Sequence, residues 1–381
     1  MPIQPQTFRR HRNRMAAYLS EWIRPFLQGY ADWKAPQKPS RPDAWRRIVL
    51  LGANHIGDAL WLTPSFPTLA QGFPKAEILL VTSPPAAEAL AHNPYLTRVI
   101  SSCEPPPRLI DVSTLRSLEA DAVICYDTSA AWRPLLTALQ AGIPHRVGYI
   151  HKGFSGWVTH PIALKFPQPH PAYFRDLVSQ LTGLAGPDSL YPCIYPNASD
   201  QLQADEEFAR CQSDATSLYI ACFPFGRQTG ANLPSPFFGQ ILNQLHRHLP
   251  FHVILAGSLT DQRRLERLSA QIEAPCTLMA GTLNLRALSL FLKRCAFVLT
   301  TDSGPRHIAN AVKVPVVFVP NRLARGVETG VYVPTEFALT RPSETESLSP
   351  ESASQLTQQI LQWIPSRLTP EHAGQIHLGA G

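Results

Sequence analysis

From Arg47 onward the chain alternates short, wholly apolar runs with amphipathic stretches. The runs at 48–52 (IVLLG), 77–82, 97–101 and 121–126 read as buried strands, and 58–70, 84–91, 129–141 and 172–183 read as helices. The Pro/Gly/Asn-bearing stretch 185–200 interrupts the pattern and predicts a domain junction. A second series follows, with strands at 217–223, 252–256, 276–280, 296–301 and 315–319. Helices at 236–248, 260–272, 284–294 and 305–312 fill its gaps. Continuous apolar strands alternating with helices imply parallel sheets covered on both faces. The expectation is an α/β chain of two doubly wound, Rossmann-like domains facing across a cleft, with ligands at the carboxyl ends of the strands.

The first 46 residues differ. Tyr18, Leu19, Trp22, Ile23, Phe26, Leu27 and Tyr30 recur at helical spacing behind Arg9, Arg10, Arg12 and Arg14, with Pro25 inside the pattern and a proline-rich linker at 35–44. Residues 1–47 hold ten Lys/Arg against three Asp/Glu, a net of +7, whereas the whole chain is +6. The folded body is therefore close to neutral, which argues against a nucleic-acid partner. The arm has two readings that the sequence leaves open: a helix lying on an anionic membrane surface through residues 9–30, or a stripe docked on the protein's own body.

The seven cysteines are scattered without a C-x-x-C pair, which reads as reduced thiols and no protein-built metal site. No apolar run reaches the length of a spanning helix and the N-terminus lacks a secretory pattern. A cytoplasmic protein, peripheral on the inner face of the membrane if the arm binds there, is expected.

Two segments carry candidate chemistry. Gly52-Ala53-Asn54-His55-Ile56-Gly57-Asp58 joins a strand to a helix; its glycines, Asn54 and His55 form a tight loop that leaves Asp58 at the helix start. It is neither a dinucleotide fingerprint nor a P-loop. Asp58 reads either as a helix cap or as a carboxylate aimed at a ligand. Thr300 to His307 follows a buried strand and opens a helix at Pro305, so the amides of Ser303 and Gly304 suit an anion and Asp302 suits sugar hydroxyls. A plain capping turn, with His307 a satisfied core residue, fits this segment equally.

The phrases GANHIGDALWLTPSFPTLAQGFPKAEILLVT and VLTTDSGPRHIANAVKVPVVFV resemble the two signatures of glycosyltransferase family 9, the ADP-heptose:lipopolysaccharide heptosyltransferases, over roughly residues 47–363. The resemblance implies a GT-B fold, with an N-terminal acceptor domain at 47–190 and a donor domain at 191–345. The arm and linker at 1–46 and a C-terminal helix and tail at 346–381 flank them. It implies Asp58 as catalytic base, and donor contacts from Asp302, Ser303, Gly304, Arg306 and His307, with Gly257 and Asp261 near the nucleotide. Gly52, Asn54, His55 and Gly57 would line the acceptor loop. The family's phosphate lysine is replaced: if Pro234 is the shared proline, Ala231 stands in its place, and Arg227, with Thr229 beside it, or Arg306 is the substitute.

The implied reaction is inverting transfer of heptose from an ADP-heptose donor to a lipopolysaccharide-type glycan, with no metal and no cofactor. Alternatives are another nucleotide sugar, a protein or capsule acceptor, or a non-catalytic member that binds a sugar nucleotide.

Overall fold

The computed structural model describes residue 15 and residues 18–35, 42–102, 110–126, 132–151, 153–211, 218–226, 234–320, 326–340 and 350–368. Two compact units divide the chain, residues 1–188 and 189–381. Each is built on a parallel six-stranded sheet.

In the first unit the strands are β1 (Arg47–Leu51), β2 (Glu77–Thr82), β3 (Arg98–Ser101), β4 (Ala122–Cys125), β5 (His145–Tyr149) and β6 (His160–Ile162), in the order β3-β2-β1-β4-β5-β6. The second unit repeats that order with β7 (Tyr219–Phe223), β8 (His252–Gly257), β9 (Cys276–Ala280), β10 (Phe297–Thr301), β11 (Val316–Val319) and β12 (Glu336–Ala338), arranged β12-β11-β10-β7-β8-β9. The strand order reverses between β1 and β4 in one sheet and between β7 and β10 in the other. These are the switch points where doubly wound sheets bind ligands.

The central strands are buried along their whole length, β4, β7 and β10 at every residue. That is why they read as unbroken apolar runs rather than alternating ones. β6 and β12 did not stand out in the sequence because they have three residues each and carry His and Pro or Glu, and β5 did not because His145, Arg146 and Gly148 break its apolar run.

The helix expected over 58–70 is interrupted. Helices Ile56–Leu60 and Phe66–Gly72 flank a 3₁₀ turn at Thr63–Ser65. Pro64 and Pro67 lack the N–H that a continuous helix requires and disfavour helical backbone in the residue before each. The Thr63 hydroxyl donates to Leu60 O at 2.7 Å at the break.

The arm docks on the first unit. Pro25 sits in the first turn of the helix Arg24–Lys34, so it starts a new helical segment. Ala31 and Ala35 are buried in the first unit's core, and Leu27 packs against it. Ser20 Oγ accepts the Phe154 N–H at 2.9 Å, and Glu21 accepts from the Ser155 N–H and hydroxyl. The wholly buried Arg146 donates to the carbonyls of Ala35, Ile143, Pro144 and Trp157, and burial brings its guanidinium down to about 10.

Close approach depends on Gly156. A Cβ there would stand 3.1 Å from Arg24 O and Gln28 N and 3.3 Å from Leu27 Cβ. Gly156→Leu is therefore expected to lift the arm: hydrogen exchange of the 24–34 amides should accelerate by about tenfold or more while β1 and β4 stay protected. Unchanged protection of the arm would contradict this docking.

Candidate functional site

Both sequence-predicted segments lie at the carboxyl ends of strands beside a switch point. In the first unit, β1 is followed by Gly52, whose φ of 111° is a conformation that glycine tolerates and other residues avoid. Thr82 Oγ1 donates to Ala53 O at 2.5 Å, tying the loop to the end of β2. His55 is the N-cap of helix Ile56–Leu60, so Gly57 lies in its first turn and Asp58 is its third residue, not its cap. Asp58 Oδ2 accepts the His55 N–H at 3.2 Å, the reach-back half of a capping box. Asp58 is half-buried and His55 exposed. Asn54 Oδ1 is buried with no hydrogen-bond partner among the described residues, an atom whose desolvation a ligand hydroxyl would offset.

In the second unit, β10 leads into Asp302 and Ser303, and the helix Gly304–Ala311 begins with Pro305 in its first turn. Ser303 is the N-cap in extended conformation, but its side chain makes no capping bond. Its hydroxyl instead exchanges hydrogen bonds with Thr301, accepting from Oγ1 at 3.0 Å and donating to the carbonyl at 3.3 Å. The first-turn amides are thus left uncapped by that side chain. Asp302 Oδ1 accepts from Arg306 at 2.8 Å, and burial pushes the Asp302 carboxyl up against the opposing pull of Arg306.

Arg306 corrects the sequence reading. Its side chain is fully buried, and its fork spans Glu336 in bidentate fashion at 2.6 and 2.9 Å, Asp302, and the carbonyls of Thr329 and Gly330. The guanidinium lies 3.6 Å from the Phe318 ring centroid. A guanidinium has five N–H donors, and these five bonds occupy them, so none remains for a donor phosphate. For His307 the core alternative fits: its buried ring shares a hydrogen bond with the Tyr332 hydroxyl at 2.9 Å and stacks on that ring, so it is a packed residue and not the donor contact also expected of it.

Sequence reasoning missed Glu336. It also accepts from Asn310 Nδ2 at 2.6 Å and from the Tyr332 N–H at 3.0 Å. The signal was faint, a lone acid in a short strand after a Thr/Val/Gly-rich loop.

Gly257 closes β8, and a Cβ on it would stand 3.3 Å from Asp261 Cβ. Asp261 accepts from the Ser258 N–H and hydroxyl and pairs with Arg264 at 2.9 Å. Arg264 in turn lies over the Phe225 ring at 3.7 Å, an aromatic and cationic shelf that the sequence did not suggest. Arg227 and Thr229 lie outside the described residues. Among the described residues no three His, Cys, Asp or Glu side chains gather as a metal site, and no helix is long and apolar enough to cross a membrane.

Comparison with known families decides what this arrangement belongs to. The model of glycosyltransferase family 9 (heptosyltransferase) matches residues 112–321, more than half of the chain. The chain belongs to glycosyltransferase family 9. As a member of that family it is a glycosyltransferase of the heptosyltransferase type. The match includes the turn at Asp302–Gly304 and begins after Asp58.

Lipopolysaccharide heptosyltransferase 2 of Salmonella typhimurium is 23% identical over 288 residues, covering 71% of this chain and 81% of that one. The family 9 glycosyltransferase structure from Veillonella parvula superposes with a TM-score of 0.70 at 19% identity, covering 84% of this chain and 98% of that one. ADP-heptose lipopolysaccharide heptosyltransferase II of E. coli gives 0.61 at 20% identity, covering 83% and 99%. The shared fold is GT-B, and the Arg306 cluster belongs to the framework of its second domain.

The assignment of Arg306 to the framework has a measurable consequence. Arg306→Ala strands Glu336 and Asp302 in the interior and should cost about 3–5 kcal/mol of stability, read as an early unfolding transition in denaturant. Arg306→Lys should remain well below the wild type, because one ammonium cannot span all four partners. A folded, fully stable Arg306→Ala protein would contradict the framework role.

Proposed function

We propose that this family 9 member transfers a heptosyl group from ADP-heptose to a lipopolysaccharide-type acceptor by a single inverting displacement, with Asp58 as general base. The observation carrying the reading is the pair of signature segments at the two switch points. On the first unit an acidic side chain and a buried, unpartnered Asn54 oxygen stand together; on the second lies an uncapped helix start.

In this reading Asp58 removes the proton of the acceptor hydroxyl as its oxygen attacks the anomeric carbon, with Asn54 hydrogen-bonding the acceptor and His55 and the two loop glycines shaping its seat. ADP leaves from the opposite face of the sugar. The amides of Ser303 and Gly304 stabilise the diphosphate, and Asp302 takes the sugar hydroxyls. With Arg306 committed to the framework, Arg227 is the candidate for the phosphate cation, with Thr229 beside it. Gly257 and Asp261 flank the nucleotide.

No step of this mechanism calls for a metal or a cofactor. The donor assignment is supported by the ADP-heptose named for the E. coli relative. The six described cysteines are free thiols, four of them buried, which suits a reducing cytoplasm.

Asp58 also holds a capping bond, so the informative substitution is Asp58→Asn, which keeps an oxygen to accept the His55 N–H but cannot take a proton. Its transfer rate should fall by about 10²–10⁴ with the unfolding profile unchanged. Near-full activity would dismiss Asp58 as the base. Arg227→Met should lower kcat/KM by about 10- to 100-fold, the value of a charge-assisted bond. ADP binding by calorimetry without turnover on any acceptor would favour a binding protein instead.

A further inference from the structure

The docked arm is apolar on two sides. Its inner stripe is small and aliphatic, Leu27, Ala31 and Ala35, and the first unit covers it. Phe26, Tyr30 and Trp33 follow the same helix at i, i+4 and i+7 on a different face, preceded by Tyr18 and Trp22 four residues apart. That outer stripe is open: Trp22, Phe26 and Trp33 are 76%, 79% and 75% exposed. Eight of the fourteen large hydrophobic residues exposed among the described residues fall between Met15 and Trp33. Scattered apolar exposure is ordinary, but a contiguous aromatic stripe marks a surface that something else covers.

We infer that the outer face of this arm, centred on Trp22, Phe26 and Trp33, seats the protein on an anionic lipid bilayer, with the aromatic rings in the interfacial zone and the helix in the membrane plane. Three observations select lipid over other occupants. Trp and Tyr, with an apolar body and a polar tip, dominate the stripe, the composition suited to the headgroup boundary. The chain from residue 1 to 47 carries +7, which complements anionic headgroups. The same charge opposes a second copy of this chain, because pairing two outer faces would bring two +7 segments together.

The two readings of the arm are thus reconciled: its inner face docks and its outer face is left for the membrane. Anchoring needs two signals to be firm, and the apolar stripe and the basic segment are of the two kinds that combine. The inference stands apart from the transfer reading and can succeed or fail without it.

Deleting the arm would also strip Ala31 and Ala35 from the core, so substitutions confined to the outer face make the better test. The full-length protein should sediment with vesicles of phosphatidylglycerol and phosphatidylcholine in about equal parts, and at least about tenfold less with phosphatidylcholine alone, with binding weakened by salt. Its tryptophan emission should be quenched by brominated lipid in those vesicles, a readout needing no variant. The triple substitution Trp22→Ser, Phe26→Ser and Trp33→Ser should lower partitioning by at least about tenfold and abolish the quenching. The inference is overturned if the wild-type protein stays in the supernatant with anionic vesicles or its emission is unquenched. It is equally overturned if the folded triple variant partitions like the wild type, or if the wild type is a dimer that these substitutions make monomeric.

Discussion

Arg306 commits its whole guanidinium to the interior of the second unit, and the turn at 302–304 is built around that commitment. Burying a guanidinium is costly unless its donors are paired, and Glu336, Asp302 and the carbonyls of Thr329 and Gly330 together take all five donors of Arg306. Asp302 is anchored at one oxygen, and Ser303 turns its hydroxyl back to Thr301 rather than onto the helix start. The Ser303 hydroxyl is therefore drawn away from the helix start, where Pro305 has no N–H and the Arg306 N–H is bonded to the Ser303 carbonyl. A charged residue next to a helix start can serve a ligand by contact or by holding the turn, and the five bonds of Arg306 fit the second role.

The first unit builds its own switch-point loop by different means. Gly52 supplies a positive φ, Thr82 holds the Ala53 carbonyl, and Asp58 closes the backbone of His55. Asp58 thus serves the fold through one oxygen even if it serves the chemistry as well. Asn54 Oδ1 is the complementary case, a buried acceptor that the protein leaves unpaired. A loop that satisfies all its polar atoms internally has little with which to orient a hydroxyl, and Asn54 Oδ1 is the atom of this loop that retains that capacity.

Much of this was legible in the sequence because parallel sheets write themselves plainly. Strands such as Val298–Thr301, covered on both sides, leave continuous apolar runs, and the glycine and proline residues that punctuate them mark both signature segments. The strands at the far edges, β6 and β12, were illegible because each has only three residues, one of them Pro161 or the buried Glu336. The role of Arg306 was misjudged, and that of His307 left open, for a related reason. Adjacency to the turn at 302–304 was visible, whereas the burial that consumes their hydrogen-bonding capacity depends on Glu336 and Tyr332, some 25–30 residues away.

The arm shows the limit of periodicity from another side. Helical spacing of apolar residues says that a helix has an apolar face, not how many such faces it has. Residues 18–35 carry both a small inner stripe and a large aromatic outer one, and in sequence the two overlap into one signal. Only the contacts of Gly156, Ser20 and Arg146 separate them, by fixing which side meets the body. Small residues face inward because the backbone must come close. The aromatic residues could not have taken that side, since Gly156 has no room to give. Their outward placement follows from the docking, and an outward aromatic face on a basic segment is the feature of this chain that its own fold leaves without a use.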